Sequence, residues 1–201
     1  MHDPVVCIID DDEAIRESLR LLLFAEDLQS IVFESADVYL REKTPPACDC
    51  MLLDIRMPGT DGLELFSILK KRHLPFPVIF ITGHGDIPLA VSAIKQGAFD
   101  FLTKPFQEGE LLSKVKSAIS HYQLDRKRLE ELRALQTRVD SCTPREQDVM
   151  KLLAKGLPNK GIAEILGISP RTVEIHRANV MEKMSADSLP ALVKMVTSLE
   201  S

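Results

Sequence analysis

The sequence predicts an α/β domain built on a five-stranded parallel sheet, followed by a wholly helical domain. Three observations indicate this. Short apolar runs alternate with helical spacings over about the first 122 residues, the runs have no polar face, and no strand-like run follows residue 106. Strands that are apolar on both faces belong to parallel sheets covered by helices on each side. A chain of 201 residues has room for two domains of ordinary size.

The predicted strands, in chain order, are residues 5–9, 30–33, 50–55, 77–82 and 98–106. The first is rich in β-branched residues, the second is the weakest, and the last is closed by Pro105. Apolar residues at helical spacing follow three of these strands. They are Ile15, Leu19 and Leu22 after the first strand, Leu63, Phe66 and Leu69 after the third, and Leu89, Ala90 and Ala93 after the fourth. This alternation predicts parallel strands joined by helices.

Residues 107–139 predict one long helix that runs out of the first domain, because no strong helix breaker follows Gly109. The stretch serves as a linker or as a short coiled-coil dimer seam. It is too short for the 3–4 heptads that would identify a coiled coil. The predicted domains are therefore residues 1–122, a linker helix at 123–139, and residues 140–201.

Four helices are predicted in the last domain. They begin near Thr143–Pro144, Asn159, Ser169–Pro170 and Ser188, where capping residues precede helical spacing. Gly156 and Gly167 end the first two. Short helices joined by tight glycine turns predict a helical bundle that contains a helix-turn-helix.

Composition argues against several classes of protein. Hydrophobic residues make up 45% of the chain and charged residues 27%, a globular balance rather than a disordered one. No apolar run approaches the roughly 20 residues of a membrane helix, and the first residues do not resemble a secretory signal. The four cysteines show neither a CxxC pair nor zinc-ligand spacing. We therefore expect a cytoplasmic protein with reduced thiols and no membrane partner.

The net charge of −5 is unevenly distributed along the chain. Residues 1–122 carry 12 basic and 19 acidic side chains, residues 123–139 carry 5 and 3, and residues 140–201 carry 8 of each. The acidic balance thus belongs to the first domain. A nucleic-acid partner for the last domain is not excluded by charge.

Polar residues follow or end four of the predicted strands. These are Asp10, Asp11 and Asp12 after the first strand, Asp54 in the third, Thr82 in the fourth and Lys104 in the fifth. Ligands of open parallel sheets bind outside the carboxyl ends of the strands, so these side chains should converge. Converging carboxylates repel unless a cation neutralises them, and hard oxygen ligands suit Mg²⁺. Each residue alone has an ordinary structural explanation, but together they predict a magnesium-binding acidic pocket.

The segments IIDDDE, LLDIRMPGTDGLEL, VIFITGHGDI and FDFLTKPF resemble the receiver domain of bacterial response regulators of the FixJ type. The resemblance covers residues 4–122. It implies a flavodoxin-like fold with strand order 2-1-3-4-5. It also implies these roles: phospho-acceptor Asp54; Mg²⁺ ligands Asp10, Asp11, Asp54 and the carbonyl of Arg56; phosphoryl-binding residues Thr82 and Lys104; and switch residue Phe101. Asp12 matches a position that varies in such domains.

This chemistry is consistent with the residue types. A carboxylate can accept a phosphoryl group as a mixed anhydride, and the transfer depends on positioning and on neutralising the phosphoryl oxygens. We expect the domain to catalyse only its own phosphorylation and its own dephosphorylation. His84, two residues after Thr82, is interpreted as a loop histidine near the pocket, with a phospho-acceptor histidine as the alternative.

Residues 159–178 predict the helix-turn-helix itself. Ala163 is small where two helices would cross, Gly167 suits the turn, and Val173 would fill the interior. The candidate DNA-contacting residues on or near the outer face are Lys160, Arg171, Glu174, Arg177 and Asn179. Such side chains can bind phosphates and base edges, although a merely solvated face is the alternative.

The segment from Thr143 to Met184 resembles the LuxR-type DNA-binding domain, and the resemblance extends over about residues 140–200. It implies that the helix from about Pro170 enters the major groove. It also implies contacts from Arg171, Thr172, Glu174, Ile175 and Arg177, supported by Lys160. Glu174 stands where some relatives carry lysine. The zero net charge of this domain predicts weak nonspecific affinity and a need for dimerisation.

The two resemblances together predict a transcriptional response regulator. A sensor histidine kinase would phosphorylate Asp54, and the regulator would then dimerise and bind promoter DNA, with RNA polymerase as a further candidate partner. Two alternatives remain open from the sequence: an enzyme that uses the aspartate pocket on external substrates, and an adaptor whose helical tail binds protein.

Overall fold

A computed structural model of the chain describes residues 3–44, 46–73, 76–83 and 87–200. Strands and helices alternate first, and only helices follow. The elements are β1 (Val5–Ile9), α1 (Glu13–Ala25), β2 (Gln29–Phe33), α2 (Ala36–Arg41), β3 (Cys50–Asp54), α3 (Gly62–Lys71), β4 (Val78–Thr82), α4 (Ile87–Lys95), β5 (Asp100–Thr103), α5 (Glu108–Asp140), α6 (Pro144–Ala154), α7 (Asn159–Leu166), α8 (Pro170–Lys183) and α9 (Leu189–Glu200).

The five strands form one parallel sheet in the order β2-β1-β3-β4-β5, which confirms the predicted architecture. The last strand is shorter than the predicted run 98–106. The Lys104 amide still donates to the Thr82 carbonyl, at 2.8 Å, but Pro105 has no N–H with which to continue the ladder. The short helix α2 was not predicted, because six residues are too few to show helical spacing. It begins at Ser35, whose hydroxyl accepts from the Val38 amide.

The alternating side chains of β1 divide the core of the sheet into two layers. Val6 and Ile8 pack with residues of α1 and α5 on one face. Cys7 and Ile9 pack with residues of α2, α3 and α4 on the other. Because each face is covered, the strands contain apolar residues at successive positions, as the sequence indicated. The covered faces leave the carboxyl-terminal edge of the sheet as the place for polar chemistry.

The helix α5 is 33 residues long and changes character along its length. Its first part buries Leu111, Val115 and Ile119. Residues 123–131 are exposed on every side, and Arg126 pairs with Glu130 one turn later, with 3.1 Å between Nε and Oε1. The chain divides into two compact units after Asp125, inside the predicted linker. The predicted limits at 122 and 140 stay predictions.

The second unit packs α6, α7, α8 and α9 around a separate apolar core. Thr143 and Glu146 form a capping box at the start of α6, and Pro144 occupies its first turn, as the sequence predicted. Gly167, with φ of 65°, ends α7 in the left-handed conformation that lets α8 follow closely. This pair of helices is the predicted helix-turn-helix.

Within the described ranges, no helix has both the length and the apolar character required to span a bilayer. All four cysteines are buried with free thiols.

Candidate functional sites

The carboxyl-terminal edge of the sheet brings together the polar residues that end its central strands. Asp10 follows β1, Asp54 ends β3 and Thr82 ends β4, and all three are buried. Lys104 follows β5 from the side. Burial of two carboxylates side by side is unfavourable without compensating charge and hydrogen bonds.

Lys104 supplies that compensation. Its ammonium lies 2.8 Å from Oδ2 of Asp10 and 2.6 Å from Oδ1 of Asp54, and it therefore bridges the two carboxylates. The remaining oxygens accept from backbone amides: Asp54 Oδ2 from Arg56 at 2.6 Å, and Asp10 Oδ1 from Asp12 at 2.9 Å. Every oxygen of the two buried carboxylates thus has a donor.

The electrostatics follow from this shared cation. Burial raises the pKa of Asp54, and the neighbouring Asp10 raises it further, while the hydrogen bond and charge of Lys104 act in the opposite direction. Burial lowers the pKa of Lys104, but the two carboxylates more than offset it, so the pKa of the lysine is raised. Asp54 is buried, and its bonds to Lys104 and the Arg56 amide hold its side chain in one orientation.

Three other predicted residues lie near this group without bonding to it in the described contacts. The Thr82 hydroxyl donates to the Gly83 carbonyl at 3.0 Å. Asp11 is exposed beside Asp10, and Phe101 is half-buried on β5. His84 lies outside the described residues.

The donor set at this edge is chemically suited to Mg²⁺. Two buried carboxylates and nearby backbone carbonyls, including that of Arg56, are the hard oxygen ligands this ion prefers. In the described ranges, no three His, Cys, Asp or Glu side chains already surround one point where a metal could sit. Lys104 occupies the space between the two buried carboxylates instead.

Sequence reasoning missed two residues that support the acidic edge. A Cβ added at Gly62 would overlap the backbone oxygen of Asp54, so only glycine allows α3 to begin so close to β3. The Arg16 guanidinium donates to the Asp10 carbonyl at 2.8 Å and fixes the end of β1. Gly62 lies in the quoted segment LLDIRMPGTDGLEL, but its contact with Asp54 depends on the tertiary structure.

The helix α8 presents one exposed stripe. Arg171 lies three and four residues before Glu174 and Ile175, Ala178 lies four and three residues after them, and all four are exposed. Val173 and Val180, on the opposite side, are buried. Lys160 is exposed at the start of α7. This side of α8 therefore presents an isoleucine beside charged side chains to solvent.

The other predicted residues of α8 are engaged inside the unit. Arg177 donates to Oδ1 of Asn159 at 3.3 Å, and the Thr172 amide donates to the Ser169 hydroxyl at 3.1 Å. The Asn179 amide donates to Oε1 of Glu146 at 3.1 Å. The sequence placed Asn179 on or near the outer face. The structure turns its side chain toward α6, because the buried Glu146 requires donors.

Glu146 has contacts with α8 that sequence reasoning overlooked. It is buried and accepts from Nζ of Lys183 at 2.6 Å, from Asn179, and from the Thr143 amide at 2.8 Å. The hydrogen bond from Lys183, together with the Thr143 amide, lowers the pKa of Glu146 to about 2. The sequence showed its capping role, but no local pattern indicates the contacts with α8.

Comparison with known proteins identifies both units. Residues 6–116 match the family model described as "Response regulator receiver domain". This match covers more than half of the chain. The chain belongs to the response-regulator family. Residues 140–196 match the model of "Bacterial regulatory proteins, luxR family".

Relatives with both domains resemble this response regulator over almost its whole length. The transcriptional regulatory protein FixJ of Bradyrhizobium diazoefficiens is 44% identical over 94% of this chain and 93% of its own. FixJ of Azorhizobium caulinodans is 46% identical over 94% and 90%. The solved structure of the response regulator StyR superposes with a TM-score of 0.88 at 40% identity, covering 98% and 99% of the two chains.

The protein is therefore a FixJ-type response regulator, with a flavodoxin-like receiver and a LuxR-type helix-turn-helix domain, and it regulates transcription. The family is one of transcriptional response regulators rather than classical enzymes, and it favours DNA over protein as the target of the tail. Receiver domains of the family generally use Mg²⁺, and their partners include a histidine kinase and DNA.

Proposed function

We propose that Asp54 is the phosphoryl acceptor of this response regulator and that its phosphorylation controls DNA binding by the second unit. The observation that carries the proposal is the placement of Asp54 at a buried edge, where Lys104 bridges it to Asp10. A sensor histidine kinase is the proposed donor. A regulator that binds DNA would act in the cytoplasm.

The reaction follows from the positions of the side chains. A carboxylate oxygen of Asp54 attacks phosphorus, the P–N bond of the donor phosphohistidine breaks, and the imidazole leaves with its electron pair and takes up a proton. The product is a mixed anhydride on Asp54. Lys104 can pair with the phosphoryl oxygens, and the Thr82 hydroxyl can turn from the Gly83 carbonyl to donate to them.

Mg²⁺ would be held by Asp10, Asp11, Asp54 and the carbonyl of Arg56. When bound, it supplies positive charge to the transferring phosphoryl group. Lys104 contacts one oxygen of Asp10 and one of Asp54, so it would share these carboxylates with the ion. The exposed position of Asp11 leaves its carboxylate accessible to the ion.

Phosphorylation would reach the surface through Thr82 and Phe101. As Thr82 moves toward the phosphoryl group, it vacates space into which the half-buried Phe101 can turn. The face formed by α4 and β5 would change as a result. Two exposed apolar residues of α4, Val91 and Ile94, make this face suitable for contact with a second copy. A local charge change can bias such an element only if it favours one of two states.

In the second unit, the exposed stripe of α8 would enter the major groove. Arg171, Glu174 and Ile175 would contact DNA directly, with Lys160 of α7 on the phosphates. Thr172, Arg177 and Asn179 complete the proposed set. For Arg177 and Asn179, contact with DNA would require exchange of their bonds to Asn159 and Glu146. RNA polymerase is proposed as a further partner at the promoter.

The acceptor assignment is tested by replacing Asp54. Asp54→Asn keeps the shape of the side chain but removes the nucleophile. Incubation with acetyl phosphate and Mg²⁺ should label the wild-type chain by one phosphoryl group and leave Asp54→Asn unlabelled, as read by intact mass. Asp100→Asn, which changes an aspartate bonded to Lys114 away from the edge, should be labelled normally. Labelling of Asp54→Asn at the wild-type rate would place the acceptor elsewhere.

A further inference from the structure

The loop that follows Asp54 is held by a contact that the proposed function does not use. We call residues 55–61 the acceptor loop. It leaves β3 and returns at Gly62, whose amide donates to the Ile55 carbonyl at 3.0 Å. Met57 anchors the middle of the loop in the core, whereas Pro58 and Gly59 at its tip are exposed.

The tip of the acceptor loop is hydrogen-bonded to α2. The Thr60 hydroxyl donates to Oδ1 of Asp37 at 2.6 Å, across 23 positions of sequence. The second oxygen of Asp37 packs against Gly59, where any Cβ would overlap it. Gly59 also has φ of 76°, a conformation that side-chain-bearing residues rarely adopt. Asp37, Gly59 and Thr60 are thus mutually fitted.

The contact between Asp37 and Thr60 lies close along the chain to Arg56 and the proposed acceptor Asp54. The amide of Arg56 donates to Asp54, and the carbonyl of the same residue is the proposed backbone ligand of Mg²⁺. The backbone from Arg56 to Thr60 is four peptide units long. Displacement of the tip would therefore shift the peptide groups next to the acceptor. Outer contacts that orient metal ligands typically change metal affinity by about 10–100-fold when removed.

We propose that Asp37 and Thr60 form a latch that positions the acceptor loop and thereby sets the affinity of the acidic edge for Mg²⁺. The inference rests on the proposed role of the Arg56 carbonyl. Asp37 and Thr60 are positioning residues, because they act through the loop and do not touch the reacting atoms. Their removal should weaken ion binding while the transfer step at saturating ion is preserved.

The test compares two variants of Thr60 in the full-length chain. Thr60→Val keeps the shape but loses the donor, and Thr60→Ser keeps the donor. Mg²⁺ is titrated into each unphosphorylated protein and binding is measured by calorimetry. Thr60→Val should bind Mg²⁺ about tenfold more weakly than the wild type, and Thr60→Ser within about twofold of it. At saturating Mg²⁺, the maximal rate of labelling by acetyl phosphate should be similar in all three.

A purely structural role would lower the melting temperature without this pattern. Asp37→Ala removes the acceptor of the same hydrogen bond. If Thr60→Val fails to fold, the Mg²⁺ affinity of Asp37→Ala tests the latch instead. The double variant should bind no more weakly than either single one, because the two residues act as a unit. Wild-type affinity for Mg²⁺ in Thr60→Val overturns the latch alone. Absence of Mg²⁺ binding by the wild-type chain overturns the proposed metal site together with the latch.

Discussion

Lys104 is the shared cationic partner of two buried carboxylates. Its ammonium is shared between Asp10 and Asp54, so neither carboxylate receives its full charge. Burial raises the pKa of Asp54, although the hydrogen bond and charge of Lys104 act in the opposite direction. In the proposed reaction, an incoming phosphoryl group would offer Lys104 further anionic oxygens. The same lysine would then stabilise both the resting site and the proposed product.

The exposed side chain of Ile175 on α8 allows a prediction about contact with one thymine methyl group of the DNA. Ile175 is 56% exposed within the charged stripe, and an apolar side chain in the major groove recognises the methyl group of thymine. A preferred site is first selected from random duplex DNA. Uracil in place of the contacted thymine should then weaken wild-type binding about fourfold, from the loss of about 0.8 kcal/mol for one buried methyl.

The Ile175→Ala variant should bind the thymine and uracil duplexes equally in the same titrations. Ile165→Ala is the control, since Ile165 is similarly exposed but lies on α7. It should retain the difference between the two duplexes. A fourfold loss with uracil that persists in Ile175→Ala would contradict the contact.

At the scale of elements, Glu146 of α6 is bonded to α8 through Asn179 and Lys183. The hydrogen bond from Lys183 holds the pKa of Glu146 at about 2, below its ordinary value of 4.5. A carboxyl group with a lowered folded-state pKa stabilises the protein above its unfolded pKa, and this stabilisation is lost as the pH falls toward the folded value. Glu146→Gln should lower the melting temperature at pH 7 by about 4–8 °C.

This difference should shrink between pH 4.5 and about 2 when melting of the full-length variant and wild type is followed by circular dichroism. Glu174→Gln makes the same chemical change on the exposed stripe and should leave the melting temperature unchanged at each pH. A pH-independent difference for Glu146→Gln would mean that its charge does not hold α8.

The sequence allowed most elements to be predicted, because strands and helices have local patterns. The five strands, the capping box at Thr143 and the turn at Gly167 were all visible in neighbouring residues. Contacts between distant residues were not visible. Glu146 meets Lys183 across 37 positions, and Thr60 meets Asp37 across 23.

At the acidic edge, the convergence of Asp10, Asp54 and Lys104 could be predicted from the ends of parallel strands. The position of the Lys104 ammonium between the two carboxylates could not be predicted, because it depends on how the side chains pack in three dimensions. The inward direction of Asn179 was missed for a similar reason. A helical position gives the face of a residue only approximately, and a buried acceptor nearby can turn the side chain inward.

At the scale of the whole molecule, the described residues form two units, each with its own apolar core. The proposed control of DNA binding by phosphorylation of Asp54 therefore needs a mechanism that can be tested on the full-length chain. We expect phosphorylation to work through association. In sedimentation velocity, the full-length chain should be mostly monomeric and become mostly dimeric with beryllofluoride and Mg²⁺. Asp54→Asn should stay monomeric under both conditions. The same monomer–dimer balance with and without beryllofluoride in the wild-type chain would exclude dimerisation as the switch.

The exposed stretch of α5 has a further consequence. Residues 123–131 form helix without burying a side chain, so local hydrogen bonds and pairs such as Arg126–Glu130 are its main support. Such a segment opens far more often than the turns around Val115, which are anchored in the core. Its amide protons should therefore exchange with solvent faster than those of the turns around Val115. Substitutions in this exposed stretch should leave the buried side chains of both units in place.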